Sequence, residues 1–279
     1  MTPLSTQKLR RLSLSFTAYR WESGWTAKLT ISTICLGPRN RMTTPHIAAM
    51  PEDLAPMVLM PGDPRRATYI AEKFLTAARE ISNVRNAVAY TGNYEGRQIS
   101  IVPSGMGMPS AAIYITELFR FFGVETIIRI GTAGAFEPSL ELGDIVLASS
   151  CITNSSMPEL LLGNSDPKLA PAPDLLAAAE SLAVKAAAEL RVGKIFTTDI
   201  FYEPDNDLQA RMLSNEVLCV EMETAALYAI AELERKKALS VVTISDHLTS
   251  GLALSSSDRE KSLDKMIEFS LDLASAATE

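Results

Sequence analysis

The chain has 279 residues, 47% hydrophobic and 21% charged, with a net charge of −7, which is globular composition for one large domain or two small ones. Three cysteines (Cys35, Cys151, Cys219), two histidines (His46, His247) and no CxxC or HExxH pairing exclude a disulfide framework and argue against a structural zinc. No run of about 18 apolar residues is long enough to span a membrane, and the negative charge argues against a nucleic-acid-binding surface, so the expectation is a cytoplasmic protein of a reducing compartment.

The charge is uneven. Residues 1–41 carry seven Lys and Arg against Glu22 alone, together with both tryptophans, Trp21 and Trp25. A boundary is expected near Met42: a basic extension over 1–41, poorly ordered or the product of a misplaced start, and one domain over 42–279. The extension is Ser/Thr-rich and nearly free of acids, as transit peptides are, and lacks the compact apolar core of a secretory signal.

From Pro56 short apolar runs alternate with helical patterns. A run at 57–60 ends at Pro61-Gly62-Asp63-Pro64, and a helix follows through Arg66, Ile70 and Phe74. A strand is expected at 99–102, a turn at Gly105-Met106-Gly107, and a helix over 110–122 stopped by Gly123. Next come a strand at 126–130, a small-residue loop at 131–134, a strand at 144–148 and a Pro/Gly/Asn/Ser loop at 153–173. An alanine-rich helix covers about 175–190. Strands are expected at 192–196, 217–220 and 239–244, with a helix at 224–236 that is amphipathic only in its second half. Ser257-Asp258-Arg259-Glu260 fits a capping box, and Leu263, Met266, Ile267 and Leu271 repeat behind it at helical spacing. Such alternation predicts an α/β domain with much of its sheet parallel.

Four clusters sit at the ends of expected strands, where α/β sheets place ligands. Gly62 to Arg66 offers close backbone approach, a helix N-terminus and a guanidinium to an anion; the bland alternative is a turn with a surface arginine. Arg129 to Gly134 ends an apolar strand on an arginine that is costly to bury unpaired, and Thr132 adds a hydroxyl; the alternative is an arginine paired to a core carboxylate. Val220-Glu221-Met222-Glu223 places two carboxylates where a polyol such as ribose would find acceptors, or where the next helix needs capping acids. Ser245-Asp246-His247 offers Asp246 as a general acid. It is not a hydrolase triad, because neighbours on a regular strand point to opposite faces, and His247 reads as structural.

Taken together, these clusters resemble the bacterial, hexameric type of purine nucleoside phosphorylase. The resemblance runs from about Met42 to the C-terminus, through Thr44-Pro45-His46-Ile47, Met60-Pro61-Gly62-Asp63-Pro64, Asn83-Val84-Arg85, Gly105-Met106-Gly107, Arg129-Ile130-Gly131-Thr132-Ala133-Gly134, Phe201-Tyr202, Val220-Glu221-Met222-Glu223 and Ser245-Asp246-His247. Each motif is weak alone; their order and spacing make the combination specific. The resemblance implies a three-layer α/β/α fold with a central mixed sheet, a trimer-of-dimers homohexamer, and reversible phosphorolysis of purine nucleosides to free base and ribose 1-phosphate without metal or organic cofactor. It implies that Gly62, Arg66, Arg129 and Thr132 hold phosphate, with Arg85 from a neighbouring subunit. Met106, Met222 and Glu223 would hold ribose, with His46 from the neighbour. Phe201, Val220, Glu221 and Ser245 would line the base site, Asp246 would protonate N7, and Arg259 would swing in to assist. An arginine beside an acid favours its charged form, so this last role requires Arg259 to approach only on closure.

Uridine phosphorylase shares the phosphate clamp, but its glutamine–arginine pair is not seen between Asn154 and Asp205. A water-using nucleosidase needs no anion clamp, and Arg66, Arg85 and Arg129 are all present. A silent binding protein on the same fold is the third alternative. Two departures stand out: Thr132 replaces the usual serine, and the 153–173 stretch is more apolar than the family's.

Overall fold

The structure is a computed structural model in which residues 18–21, 24–27, 43–248 and 250–276 are described. By contacts the chain divides into two units, 1–40 and 41–279. Within the first, β1 (Ala18–Trp21) and β2 (Gly24–Ala27) form an antiparallel ribbon. The remaining expectations for 1–41, including the packing of Trp21 and Trp25, fall outside the described residues and side chains.

The second unit is built on a nine-stranded mixed sheet. In chain order it holds β3 (Met57–Pro61), α1 (Pro64–Phe74), β4 (Thr76–Ser82), β5 (Ala89–Tyr94), β6 (Arg97–Ile101), α2 (Met108–Phe121), β7 (Thr126–Ala135) and β8 (Ile145–Thr153). Then follow α3 (Met157–Leu162), α4 (Pro173–Lys185), β9 (Leu190–Thr197), α5 (Leu208–Ser214), β10 (Val217–Glu221), α6 (Thr224–Glu234), β11 (Lys237–His247) and α7 (Ser256–Ala276). The sheet order is β10-β9-β8-β11-β7-β3-β6-β5-β4, and β10 pairs back onto β7. Strands β7, β11, β8, β9 and β10 therefore close on themselves as a small barrel, and β3 to β6 extend the sheet beyond it.

Two apolar cores cover the two faces. One joins the sheet to α2 and α6, the other to α1, α4 and α7, giving the three-layer α/β/α arrangement that the family resemblance implies. Helix α6 explains its own weak amphipathicity: Thr224 through Ala231 are all buried, between the sheet, α2 and α3, and a helix buried on every side carries no polar stripe. Among the described residues, no helix is long and apolar enough to cross a membrane.

Three expectations are revised. The small residues at 131–134 continue β7 rather than forming a loop, because they allow close pairing with β11 through Ala135 and with β10 at Gly134 and Ala135. The 153–173 segment holds α3, whose Pro158 is buried and whose Gly163 ends it in the left-handed conformation. The alanine-rich helix stops at Lys185, and β9 begins at Leu190.

The inner face of α6 is tied to the sheet through Tyr228. Its hydroxyl donates to the Ala148 carbonyl at 2.7 Å and accepts from the Ser240 N–H at 3.1 Å, all buried. Tyr228→Phe leaves both groups without a partner and is expected to cost about 1–3 kcal/mol, measured as a lower urea midpoint with an unchanged slope.

Candidate functional site

The barrel closure brings separate strand ends together. Gly134, near the end of β7, pairs with Val220 of β10 on one side and with Asp246 of β11 on the other. A Cβ on Gly134 would sit 3.4 Å from Leu248 and 3.5 Å from Val220. One step along β10, Glu221 pairs with Thr197, the last residue of β9.

Arg129 is the centre of this convergence. It is buried within β7, its Nε donates to Glu221 Oε2 at 3.0 Å, and its Nη2 donates to Glu223 Oε2. Burial pulls its pKa down, but the charges of Glu223 and Glu221 more than offset this and the net shift is upward. The guanidinium lies across Gly131, where a Cβ would approach it to 2.7 Å. The pairing alternative read at this arginine holds: it is paired to core carboxylates, and those carboxylates come from another candidate cluster.

Glu221 and Glu223 differ in what they hold. Glu221 Oε2 accepts from the Glu223 N–H at 2.8 Å, the Thr224 N–H reaches both its oxygens at 3.0 Å, and Thr197 donates its hydroxyl to Oε1. Glu221 is therefore the capping acid of α6, an anion at a helix N-terminus. Glu223, at the N-cap position, makes no side-chain cap; it turns outward to Arg129 and accepts the Gly107 N–H. Burial raises the Glu223 pKa, Arg129 opposes that and Glu221 adds to it, leaving a net rise.

The Gly107 contact joins this cluster to the β3 end. The Ser104 N–H donates to the Pro61 carbonyl at 2.8 Å, and a Cβ on Gly62 would stand 3.4 Å from the Gly105 carbonyl. Gly105 and Gly107 have φ of +71° and +83°, conformations that glycine adopts without strain. Arg66 sits half-buried on the first turn of α1, where Asp63 caps the Arg65 N–H at 2.9 Å. Thr132 is half-buried in β7, in register with Thr243 of β11.

The Ser245-Asp246-His247 run departs from regular alternation. The register with β7 slips between Ile244 and Asp246, so Ser245 is the extra residue of a bulge, a device that re-aims side chains. Ser245 thereby donates its hydroxyl to Asp246 Oδ2 at 2.7 Å, which strict alternation would prevent. His247 is buried, and its Nδ1 accepts the Ser250 N–H at 3.4 Å. Around this floor, Met222 is half-buried, while Met106 and Phe201 are 88% and 74% exposed, leaving two apolar side chains without cover on one chain. Phe201 and Tyr202 meet edge to face at 5.1 Å.

His46 and Arg85 lie elsewhere. His46 Nδ1 is 2.7 Å from Glu117 Oε1 on α2, and its ring meets Tyr114 edge-on. Arg85, exposed and left-handed at φ 58°, is close enough to Tyr114 to oppose the rise that burial gives that phenol's pKa. Glu117 follows Gly107 by ten residues, or ~15 Å of helix, so the pair is displaced from the cluster at Glu223. Arg259 belongs to α7, and its side chain lies outside the described ones.

Sequence reasoning passed over Thr197, Gly107, Thr224 and Glu117. Backbone N–H donors leave no trace in side-chain chemistry. Thr197 and Glu117 lie far in sequence from the residues they hold, and only the strand and helix pairing joins them. Among the described residues, no group of three or more His, Cys, Asp or Glu is placed to hold a metal ion.

Residues 56–279 match the family model of the phosphorylase superfamily. The DeoD-type purine nucleoside phosphorylase of Myxococcus xanthus (strain DK1622) is 41% identical over 235 residues, 84% of this chain and 98% of its own. That of Colwellia psychrerythraea (strain 34H / ATCC BAA-681) is 43% identical over 231 residues, 83% of this chain and 99% of its own. That of Proteus mirabilis (strain HI4320) is 42% identical over 231 residues, 83% and 97%. The chain belongs to the phosphorylase superfamily and is similar, over nearly their whole length, to its DeoD-type purine nucleoside phosphorylases.

Proposed function

We propose that the protein is a purine nucleoside phosphorylase, a pentosyltransferase that exchanges the base of a purine (deoxy)ribonucleoside for phosphate. The observation that carries the reading is Arg129, buried beside an exchangeable carboxylate, in contact through Glu223 with the Gly105–Gly107 turn and two strand pairings from Asp246. A guanidinium fork matches phosphate oxygens, and a carboxylate beside it matches ribose hydroxyls.

In this reading phosphate rests on Arg129, Gly62, Arg66 and Thr132. One of its oxygens attacks C1′ as the C1′–N9 bond breaks, and the bonding pair leaves with the base. Asp246 gives a proton to N7, so the base departs neutral; Ser245 fixes the plane of that carboxyl, and Arg259 assists on closure. Phe201 and Val220 pack the base, and Met106, Met222 and Glu223 hold the ribose. Holding phosphate in line and stabilising the cation-like sugar supply much of the rate, and the general acid supplies about 10²–10⁴-fold.

His46 and Arg85 enter the site of a neighbouring copy, and the assembly is a homohexamer, a trimer of dimers. Their displacement along α2 supports this, as does the exposure of Met106 and Phe201. Charge supports it too. With both glutamates ionised, the Arg129 cluster is net −1, an unfavourable host for a near-dianion until Arg66 and a neighbour's Arg85 arrive and Glu223 takes up a proton or a hydroxyl. The activity belongs to the second unit, with 1–41 outside it.

The direct test incubates the protein with inosine, adenosine and uridine, with and without phosphate, and separates the products. Phosphate-dependent release of hypoxanthine or adenine is expected. Release without phosphate would mean a nucleosidase, and uracil alone the pyrimidine enzyme. Asp246→Asn is expected to lower kcat by about 10²–10⁴. Mixed assemblies of Asp246→Asn and His46→Ala subunits should recover part of the activity that each lacks alone; no recovery at any mixing ratio would refute the shared site.

The Glu223 shift also has a consequence for stability. Its pKa in the folded protein is raised above the ordinary 4.5, so the folded state keeps a proton that the unfolded chain has lost. The stabilisation is complete below 4.5 and is lost as pH rises through the raised value. Glu223→Gln is expected to flatten that decline in urea midpoints measured from pH 4 upward, while impairing turnover.

A further inference from the structure

We infer that Thr197 is a positioning residue of the anion site: its hydroxyl fixes Glu221, and Glu221 fixes the Arg129 guanidinium that meets phosphate. The inference rests on the reading of Arg129 as a phosphate ligand and extends it to a residue that touches no substrate.

The donor count at Thr197 is complete. A hydroxyl has one hydrogen and two lone pairs. The Ala225 N–H donates to Thr197 Oγ1 at 3.1 Å, and Cys151 Sγ lies 3.0 Å away. The Glu221 carboxylate can only accept, so the hydroxyl hydrogen goes to Glu221 Oε1; the one hydrogen of the Cys151 thiol is shared between Thr197 Oγ1 and the Ile152 carbonyl at 3.3 Å. Burial pushes the Cys151 pKa up, which keeps that thiol protonated. With the Ala225 N–H on one lone pair and its hydrogen on the carboxylate, the hydroxyl is oriented toward Glu221, and Thr197 is fully buried.

Glu221 is correspondingly immobile. Thr197, the Thr224 N–H and the Glu223 N–H hold it on one side, and the Arg129 Nε bond at 3.0 Å leaves from the other. Moving Glu221 would uncap α6. Glu223, by contrast, is held by one turn N–H and by Arg129. When substrate enters, Glu223 exchanges partners and Glu221 does not. The guanidinium thus pivots on a fixed carboxylate and keeps its outer N–H groups aimed at one place. Arginine is free to swing about its side-chain torsions, so without that anchor the clamp would be displaced rather than lost.

Isothermal titration of the intact protein with inorganic phosphate tests this, independently of turnover. Thr197→Val, which keeps the shape and removes the hydroxyl, is expected to weaken phosphate binding about tenfold or more; Thr197→Ser is expected to return it to within about twofold of the parent. Tyr228→Phe, on the same helix, should lower stability and leave phosphate affinity unchanged, separating positioning from general loosening of α6. Unchanged affinity in Thr197→Val, no rescue by serine, equal weakening in Tyr228→Phe, or a parent protein that binds no phosphate would each overturn the inference. A parent that binds phosphate but releases no base would sink the phosphorolysis reading alone, and the Thr197 series would still decide this one.

Discussion

A guanidinium buried in the middle of a β-strand is the constraint on which the rest of this structure depends. An uncompensated charge at Arg129 would be among the most costly features in the protein, and breaking a buried pair by removing one partner typically costs about 3–5 kcal/mol. Two carboxylates meet it, and neither lies on β7. They arrive on the β10–α6 junction, which reaches Arg129 because β10 folds back to pair with the last residues of β7. Barrel closure and charge compensation are therefore one event: a sheet left open at β10 would leave Arg129 buried and unpaired.

The same junction serves two purposes that separate residues perform. Glu221 faces inward and caps α6 through the Glu223 and Thr224 N–H groups; Glu223 faces outward to Gly107 and the arginine. A helix N-terminus supplies partial positive charge, so two acids can approach one arginine there with less mutual repulsion than the bare count suggests. The bulge at Ser245 works alongside this. It shifts Asp246 by one place, so that it stands opposite Gly134, the residue that Val220 also faces. The proposed general acid and a residue proposed to pack the base thereby share one glycine between them.

Much of this was legible in the sequence because periodicity and punctuation carry it. The α/β alternation and the clusters that follow β3 and close β10 and β11 come from local patterns; the capping box read at 257–260 falls on side chains outside the described ones, with α7 starting at Ser256. What escaped detection was non-local. The small residues of 131–134 read as a loop because glycine and alanine give no strand signal; β10 and β11, far along the chain, make them a strand. The Ser245 bulge has no signature of its own, so a rule about alternation kept Ser245 and Asp246 apart where the fold joins them. Helix α3 was hidden by Pro158 and Gly163, which mark a loop in isolation and a helix start and stop in context. At Glu221 and Glu223 the capping and ligand readings competed, and the fold makes Glu221 the cap of α6 while Glu223 meets Arg129 and Gly107.

The separation of His46 and Arg85 from the Arg129 cluster follows from the same geometry. The cluster on a single chain holds one arginine against two acids, and Met106, next to the Gly107 that contacts Glu223, is turned to solvent. The displaced pair is an imidazole that Glu117 and Tyr114 of α2 hold and the exposed Arg85, near enough to Tyr114 to act on its phenol. On the proposed shared site, a neighbouring copy's Arg85 would add positive charge to the Arg129 cluster, where two acids face one arginine. Thr44 and His46 both bond to Glu117, so the imidazole is held in place on one chain, and preorganisation of this kind lowers the ordering cost of association. In the proposed assembly that charge would arrive beside Met106, which is exposed next to the Gly107–Glu223 contact, so substrate recognition and oligomer formation would draw on one surface.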